Sequence, residues 1–188
     1  VLRFQIMKVK GGVAINRKGS SRDKISNAVE YLQNWIVNFV SVNNPDLNNF
    51  PPCPFAKQAL VEQKIKFLGV KNIKDCLQQI RDATVTWNEN LDLIAFVFTK
   101  LPNENQLVAD IEMINKQLKA NDFVVLEDHP KIEENINGVI MNNGKYAICL
   151  MQRLSKINRF SDILKRQGYY DVWSCLLYTS DAADDANC

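Results

Sequence analysis

The hydrophobic positions of residues 20–42 recur every three or four residues, which is the spacing of an amphipathic helix. Ser20 or Ser21 supplies an N-cap, and Asp23 falls in the first turn, where a negative charge is favourable. The segment Asn43-Asn44-Pro45 ends the pattern. The predicted apolar stripe is Ile25, Val29, Leu32, Ile36 and Phe39.

Downstream of this helix, short apolar runs alternate with amphipathic stretches. A short helix is expected over 54–62, and longer helices over 73–84 and after the cap residue Asn103. Strands are expected over 65–70, 91–98 and 123–126. The run at 91–98 is almost continuously apolar, which is typical of a central strand buried on both faces.

The C-terminal part of the pattern predicts a β-hairpin and one more helix. Segments 139–141 and 146–151 flank Asn142-Asn143-Gly144, a strong turn signal. A helix over 154–167 would stop at Gly168. Because strand–helix–strand connections in one sheet run parallel, we expect an α/β fold. Its single mixed β-sheet would have βαβαβ crossovers plus the hairpin, with helices packed on the sheet.

Composition fits one globular domain, which we place at residues 21–174. The chain has 188 residues, of which 46% are hydrophobic and 23% are charged. No apolar run approaches the roughly 20 residues that a membrane span needs. The start of the chain also lacks the apolar core of a secretory signal. The sequence therefore predicts a cytoplasmic protein with no membrane partner.

The two ends of the chain differ from this domain. Residues 1–20 are predicted to form a basic, disordered leader, and Met7 is an alternative start. Residues 175–188 begin with a stretch, Cys175 to Asp184, that looks like a translated transposase sequencing adapter. We expect a non-native tail and a truncated natural C-terminus; the alternative is a genuine acidic, disordered tail. Without the tail, five cysteines become three.

The segment Cys53-Pro54-Phe55-Ala56-Lys57 is the strongest candidate for chemistry. Pro54 suits the first turn of a helix, which would put Cys53 at or beside the N-cap. Free N–H groups and the helix dipole favour a thiolate there. Cys53 is thus a candidate nucleophile or redox thiol with a lowered pKa, with Lys57 nearby as a candidate ligand-binding residue. The interpretation that the sequence alone favours for Cys53 is a small, weakly polar cap in a tight turn. Cys76 and Cys149 are predicted to be core residues.

Two further residues stand at predicted strand ends, where α/β proteins often place ligands and catalysts. His129, the only histidine, follows Glu127-Asp128 and is a candidate general base. Arg153 is a candidate anion-binding residue. Each has an ordinary alternative, a capping histidine and a solvated arginine. The sequence shows no metal-binding pattern and no glycine-rich phosphate loop, so no metal and no cofactor is predicted.

The order of these motifs resembles a family of bacterial and phage proteins known only as domain of unknown function 1415. The resemblance covers roughly residues 29–173 and rests on the Cys53 segment. Weaker matches are His129-Pro130, the run from Arg153 to Ile157, and the ending Gly168 to Trp173. The chain departs from the family pattern at Phe98 and Thr99, where a histidine would be expected. The resemblance implies a fold and a site near Cys53, but no reaction.

Three functions are compatible with these observations. The preferred one is a non-catalytic domain that binds a small molecule or a protein partner near the Cys53 segment. The alternative is a thiol-dependent enzyme or redox protein, with Cys53 as nucleophile, His129 as base and Arg153 as anion holder. The third is nucleic-acid binding through the basic N-terminal arm. Nucleic acid is disfavoured because the remaining chain offers no matching basic face.

Overall fold

The computed structural model describes residues 21–172, so the predictions for the leader and the tail lie outside the described part of the chain. The helices are α1 (Ser21–Trp35), α2 (Ala56–Val61), α3 (Ile73–Thr86), α4 (Glu104–Leu118) and α5 (Leu154–Arg166). The strands are β1 (Ile65–Val70), β2 (Leu93–Phe98), β3 (Phe123–Asp128), β4 (Asn135–Ile136), β5 (Val139–Ile140) and β6 (Ile148–Arg153). The predicted α/β fold with a mixed sheet is confirmed.

Four strands form the main sheet in the order β1-β2-β6-β3. β1 and β2 are parallel, with Ile65 opposite Leu93, whereas β6 runs antiparallel to both of its neighbours. The three strands of the predicted βαβαβ unit therefore point the same way, and β6 is inserted between the second and the third. β2 is apolar along its whole length, whereas β6 and β3 each end in two polar residues.

One face of the sheet is covered by α3 and α4. Their buried stripes pack against inward side chains of all four strands in one continuous core. Cys76 on α3 and Cys149 on β6 both lie in this core as free, buried thiols, as predicted. A hydrogen bond with Cys76 and burial together hold the pKa of the Cys149 thiol well above its ordinary value.

The opposite face is packed by α1, whose Ala28 and Leu32 meet Val97 and Ile148. The N-terminal part of α1 also lies against the outer strand β1. A Cβ atom added at Gly69 would come within 2.5 Å of the Ile25 side chain. The absence of a side chain at Gly69 therefore allows α1 to approach the sheet edge closely. After Trp35 the helix continues as one π-helical turn, Ile36–Val40.

The hairpin is present, but its position differs from the prediction. β5 pairs with β4 in a separate two-stranded sheet, and the turn is Asn137-Gly138, with φ of 51° and 89°. Both residues have the positive φ that a type I′ turn requires. The predicted turn residue Asn143 instead accepts hydrogen bonds on its side chain from the N–H groups of Lys145 and Tyr146. That side chain organises the approach to β6 and forms no hairpin turn.

The two outer edges of the main sheet are built differently. At the β3 edge, the buried side chain of Asn115 on α4 bonds both backbone groups of Val125. Its amide donates to the carbonyl at 2.8 Å, and its oxygen accepts from the N–H at 2.9 Å. Because a side-chain amide carries the same donor and acceptor as a peptide unit, Asn115 takes the place of a neighbouring strand at Val125.

Among residues 21–172 the structure contains no helix with the length and apolar character that a bilayer span requires.

Candidate functional site

The loop that carries Cys53 is folded tightly between two elements. The Cys53 N–H donates to the carbonyl of Val40 at 2.9 Å, and the Cys53 carbonyl accepts from the N–H of Ala56 at 3.3 Å. Helix α2 begins at Ala56, two residues later than predicted, with Phe55 at its N-cap position. Residues 54 and 55 form a turn, so Cys53 precedes the helix and does not occupy its N-cap.

The environment of the Cys53 sulfur acts against a thiolate. Burial raises the pKa of the thiol above its ordinary value of 9.0, and backbone N–H groups of Phe55 and Ala56 lower it by less. The predicted interaction with free backbone N–H groups is thus present, but desolvation is the larger effect. This direction is opposite to the lowered pKa expected for a nucleophile. Lys57 lies exposed on the first turn of α2.

Aromatic side chains fasten the Cys53 loop to the C-terminal part of the domain. Phe55 stacks on Phe160 of α5, with ring centroids 4.3 Å apart. The Tyr169 hydroxyl donates a short hydrogen bond to the carbonyl of Pro52. Tyr169 also meets Phe50 edge to face, with centroids 5.3 Å apart. The Cys53 segment therefore joins three parts of the molecule: the end of α1, the start of α2, and α5 with the turn after it.

His129 is only 1% exposed, and both of its ring nitrogens are in use. Nδ1 accepts from the N–H of Lys131 at 3.2 Å, which leaves the proton on Nε2. Nε2 donates that proton to the carbonyl of Pro102 at 3.1 Å. With neither nitrogen free, the imidazole joins the end of β3 to the loop between β2 and α4. This arrangement matches the capping alternative from the sequence, and it leaves no lone pair for a general base.

Next to His129 lies a buried polar network that sequence reasoning missed. The Asp128 carboxylate accepts from the side chain of Asn142 at 3.0 Å, and from the backbone and side chain of Asn143 at 3.1 and 2.6 Å. Tyr31 of α1 donates to the Asn143 carbonyl at 2.7 Å. Burial, followed by the nearby Asp128 charge, raises the pKa of Glu134. The only sequence signal was the Asn-Asn-Gly triplet, which indicates a turn as readily as a buried network.

Arg153 is occupied by aromatic and acidic neighbours. Its guanidinium lies 4.1 Å from the ring centroid of Phe123 and 5.8 Å from that of Trp87. It forms a short ion pair with Glu89 and also donates to the carbonyl of Asn121 at 3.4 Å. These contacts cover the guanidinium as a cation–π and ion-pair cluster, so its donors are not directed at an open anion site.

The contacts of the predicted residues do not connect them into one site. Within residues 21–172, Cys53, His129 and Arg153 share no hydrogen-bond, ion-pair or ring partner. The same part of the chain holds no group of three His, Cys, Asp or Glu residues placed to bind a metal ion.

Two surface cavities lie elsewhere, one beside the outer strand β1 and one just beyond its C-terminal end. The larger, about 710 Å³, runs beside the strand between α3, the end of α2 and Gln33 of α1. The smaller, about 500 Å³, lies where β1 and β2 end, and its lining includes Lys71, Lys74 and Lys100. None of Cys53, Lys57, His129 and Arg153 lines either cavity.

Comparison of the chain with protein-family models, with curated proteins and with solved structures gave no match. The resemblance to domain of unknown function 1415 thus stays a prediction.

Proposed function

We propose that this protein is a non-catalytic binding domain, and that the groove beside β1 is its binding surface. One observation carries the proposal. The thiol, the imidazole and the guanidinium that could have formed a catalytic site are each held in separate structural contacts, whereas the groove lies open. A nucleophile and its base must come within hydrogen-bond reach of each other. The contacts of Cys53 and His129 give no such pair.

The groove has the mixed character of a recognition surface. Its apolar lining includes Leu60, Leu68 and Leu91, and its polar lining includes Gln33, Gln63 and Gln79. A volume of about 710 Å³ falls within the range of ligand-binding clefts. Amide side chains both donate and accept hydrogen bonds without carrying charge, and the two charged residues of the lining, Lys66 and Asp82, have opposite signs. The groove is thus suited to a partly apolar partner that has hydrogen-bonding groups and little net charge.

The Cys53 segment supports this binding function indirectly. Leu60 and Gln63 belong to α2 and the turn that follows it, and they form one wall of the groove. The start of α2 is fixed by the hydrogen bond from Cys53 to Val40 and by the stacking of Phe55 on Phe160. The role we assign to Cys53 is therefore to fold the loop that sets the position of this wall.

The rate of Cys53 alkylation as a function of pH tests the proposal against the thiol-enzyme alternative. The full chain is treated with iodoacetamide, and the modified cysteine is located by mass spectrometry. The control is a free peptide with the sequence of residues 51–57. We expect Cys53 to react more slowly than the peptide and to reach half of its maximal rate at a higher pH, because burial raises its pKa. Faster reaction with a lower midpoint would restore the nucleophile and contradict the proposal.

A further inference from the structure

The outer edge of β1 presents backbone groups that have no strand partner. The carbonyl of Lys64 accepts from Leu93 and that of Val70 accepts from Thr99, so both face β2. Alternate residues of a parallel strand point their N–H and C=O groups to opposite sides. The groups of Ile65, Phe67 and Gly69 therefore face away from β2. Within residues 21–172, their one contact is a long bond of 3.4 Å from the Gln79 side chain to the Gly69 carbonyl.

The backbone groups at the outer edge of β3 have a partner that those at the outer edge of β1 lack. At the β3 edge, Asn115 satisfies both outward groups of Val125. No comparable side chain from the described residues covers Ile65 or Phe67. An exposed lysine, Lys66, stands on the open edge, and charged side chains at such positions discourage uncontrolled pairing between molecules. The fold thus caps the β3 edge at Val125 and provides no such cap for Ile65 or Phe67 on the β1 edge, where Lys66 is the charged residue.

Side chains that line the groove flank the outer edge of β1. Gln33 and Gln63 stand on one side of the strand, and Gln79 and Asp82 of α3 stand on the other. The lining includes Ile65, the first of the three residues with outward backbone groups. A second copy of the protein would bring its own exposed Lys66 to the shared edge, and like charges on paired strands are unfavourable.

We propose that the groove binds an extended peptide segment of a partner protein, which adds to β1 as a fifth strand and pairs with the backbone groups of Ile65, Phe67 and Gly69. This inference rests on the proposed binding function and names its partner class. Main-chain hydrogen bonds provide the affinity in this mode of recognition, and pockets for alternate side chains provide the specificity. Leu68 and Leu91 favour an apolar side chain at the peptide positions that face α3.

The test uses a random-sequence dodecapeptide library displayed on phage and selected on the immobilised full chain. A synthetic copy of the selected peptide is then titrated while amide hydrogen exchange of the protein is followed. We expect exchange at Ile65, Phe67 and Gly69 to slow by at least about tenfold, with little change at Val125, whose N–H is already bonded. N-methylation of every second peptide amide is expected to weaken binding about tenfold, and methylation of the intervening amides to have little effect.

A variant pair isolates the backbone contribution. Ile65→Pro removes an outward N–H that makes no bond to β2, and Ile65→Ala shortens the same side chain while keeping the N–H. We expect peptide affinity to be about tenfold lower in Ile65→Pro than in Ile65→Ala, once thermal unfolding has shown that both variants are folded. Should Ile65→Pro not fold, the N-methylation series on the unaltered chain decides the question.

Each other outcome overturns the inference in a recognisable way. Peptide binding without protection of the three amides would exclude strand addition and leave the binding function standing. If the immobilised protein retains no peptide above the level of a blank surface, a peptide partner is excluded. Protection that grows with protein concentration would identify a second copy as the occupant. Slow exchange in the free monomer would identify a segment of the chain itself. Failure of the proposed function is detected separately, by fast alkylation of Cys53.

Discussion

Buried polar residues hold the long connection between β3 and β6 in place. Asp128 gathers the side chains of Asn142 and Asn143, and His129 reaches across to the β2–α4 loop through Pro102. Buried polar groups are costly unless they are hydrogen-bonded, and in this connection they are satisfied mainly by one another and by backbone. Among the predicted site residues, His129 belongs to this connection, and both of its ring nitrogens have backbone partners.

Substitution of His129 tests this assignment. His129→Ala leaves a cavity and removes the partners of the Pro102 carbonyl and the Lys131 N–H, so we expect the free energy of unfolding to fall by about 2–4 kcal/mol. Urea denaturation of the full chain measures the change. The control is Lys131→Ala, an exposed side chain nearby, for which a change within about 0.5 kcal/mol is expected. A His129→Ala protein as stable as the wild type would contradict the structural role.

The contribution of Asp122 to the stability of the fold should depend on pH. It caps α5 from outside the helix, with its carboxylate accepting from the Ser155 hydroxyl at 2.6 Å and from the Ser155 N–H at 2.7 Å. The Ser155 hydroxyl, with smaller contributions from the Ser155 N–H and the Arg153 charge, lowers the pKa of Asp122 below its ordinary value of 3.8. A lowered folded-state pKa stabilises the fold above the unfolded-state value, and that stability is lost as pH falls through the folded-state pKa.

We therefore expect Asp122→Asn to lower the free energy of unfolding by about 1 kcal/mol at pH 7. The difference from wild type should shrink as pH falls below about 3.8. Denaturation curves between pH 2.5 and 7 measure it. Ser155→Ala removes the other half of the contact, so the double variant should lose little more than the larger single effect. Full additivity of the two substitutions would show that they do not act through this bond.

These local roles were only partly predictable from sequence. Burial of Cys76 and Cys149 followed from their positions inside a helix and an apolar strand. The raised pKa of Cys53 could not be predicted in this way, because it depends on how deeply the folded protein buries the loop. Nothing in the sequence around Asn143 shows that Asp128, fifteen residues earlier, binds its side chain.

At the scale of elements, one residue of α4, Asn115, provides hydrogen-bond partners for the outer edge of β3. Asn115 sits among apolar residues on the buried stripe of α4, where a leucine would complete the core. Its amide bonds with Val125 explain why a polar residue is there. Through these two bonds α4 caps the outer edge of β3 at Val125.

Replacement of Asn115 by leucine should remove both of these hydrogen bonds from the edge of β3. Two buried backbone groups of Val125 would lose their partners, and we expect a loss of about 2–4 kcal/mol in the free energy of unfolding. Thermal and urea unfolding measure the loss, and amide exchange at Val125 should accelerate. Glu112→Ala, on the exposed side of the same helix, is the matched control and should change stability by less than about 0.5 kcal/mol. An unchanged Val125 amide would mean that the edge is protected by other contacts.

Helices and strands with strong periodicity were predictable within a few residues. The apolar repeats of α1 and α4 and the continuous run of β2 reflect burial on one or both faces. The hairpin turn was placed wrongly because Asn142-Asn143-Gly144 and Asn137-Gly138 carry the same local signal. The choice between them is made by long-range bonds from Asp128, which no local pattern shows.

For the whole molecule, the sheet order decides which edge is available. The insertion of β6 between β2 and β3 leaves β1 and β3 as the two outer strands. Sequence predicted the parallel crossovers and the packed helices, but it could not predict where the returning strand would insert. In that position β6 is hydrogen-bonded on both of its edges, by contacts between segments that are far apart in the sequence. The binding surface that we propose follows from this order.

The most direct test of the account is amide hydrogen exchange of the free, full-length chain, resolved at single residues in β1 and β3. We expect the exchange rates to alternate from one residue to the next along β1. Ile65, Phe67 and Gly69 should exchange at least about a hundredfold faster than Lys66, Leu68 and the sealed Val125. Uniform protection along β1, equal to that of Val125, would show that the edge is already occupied and would contradict the central claim that the fold keeps β1 open for a partner.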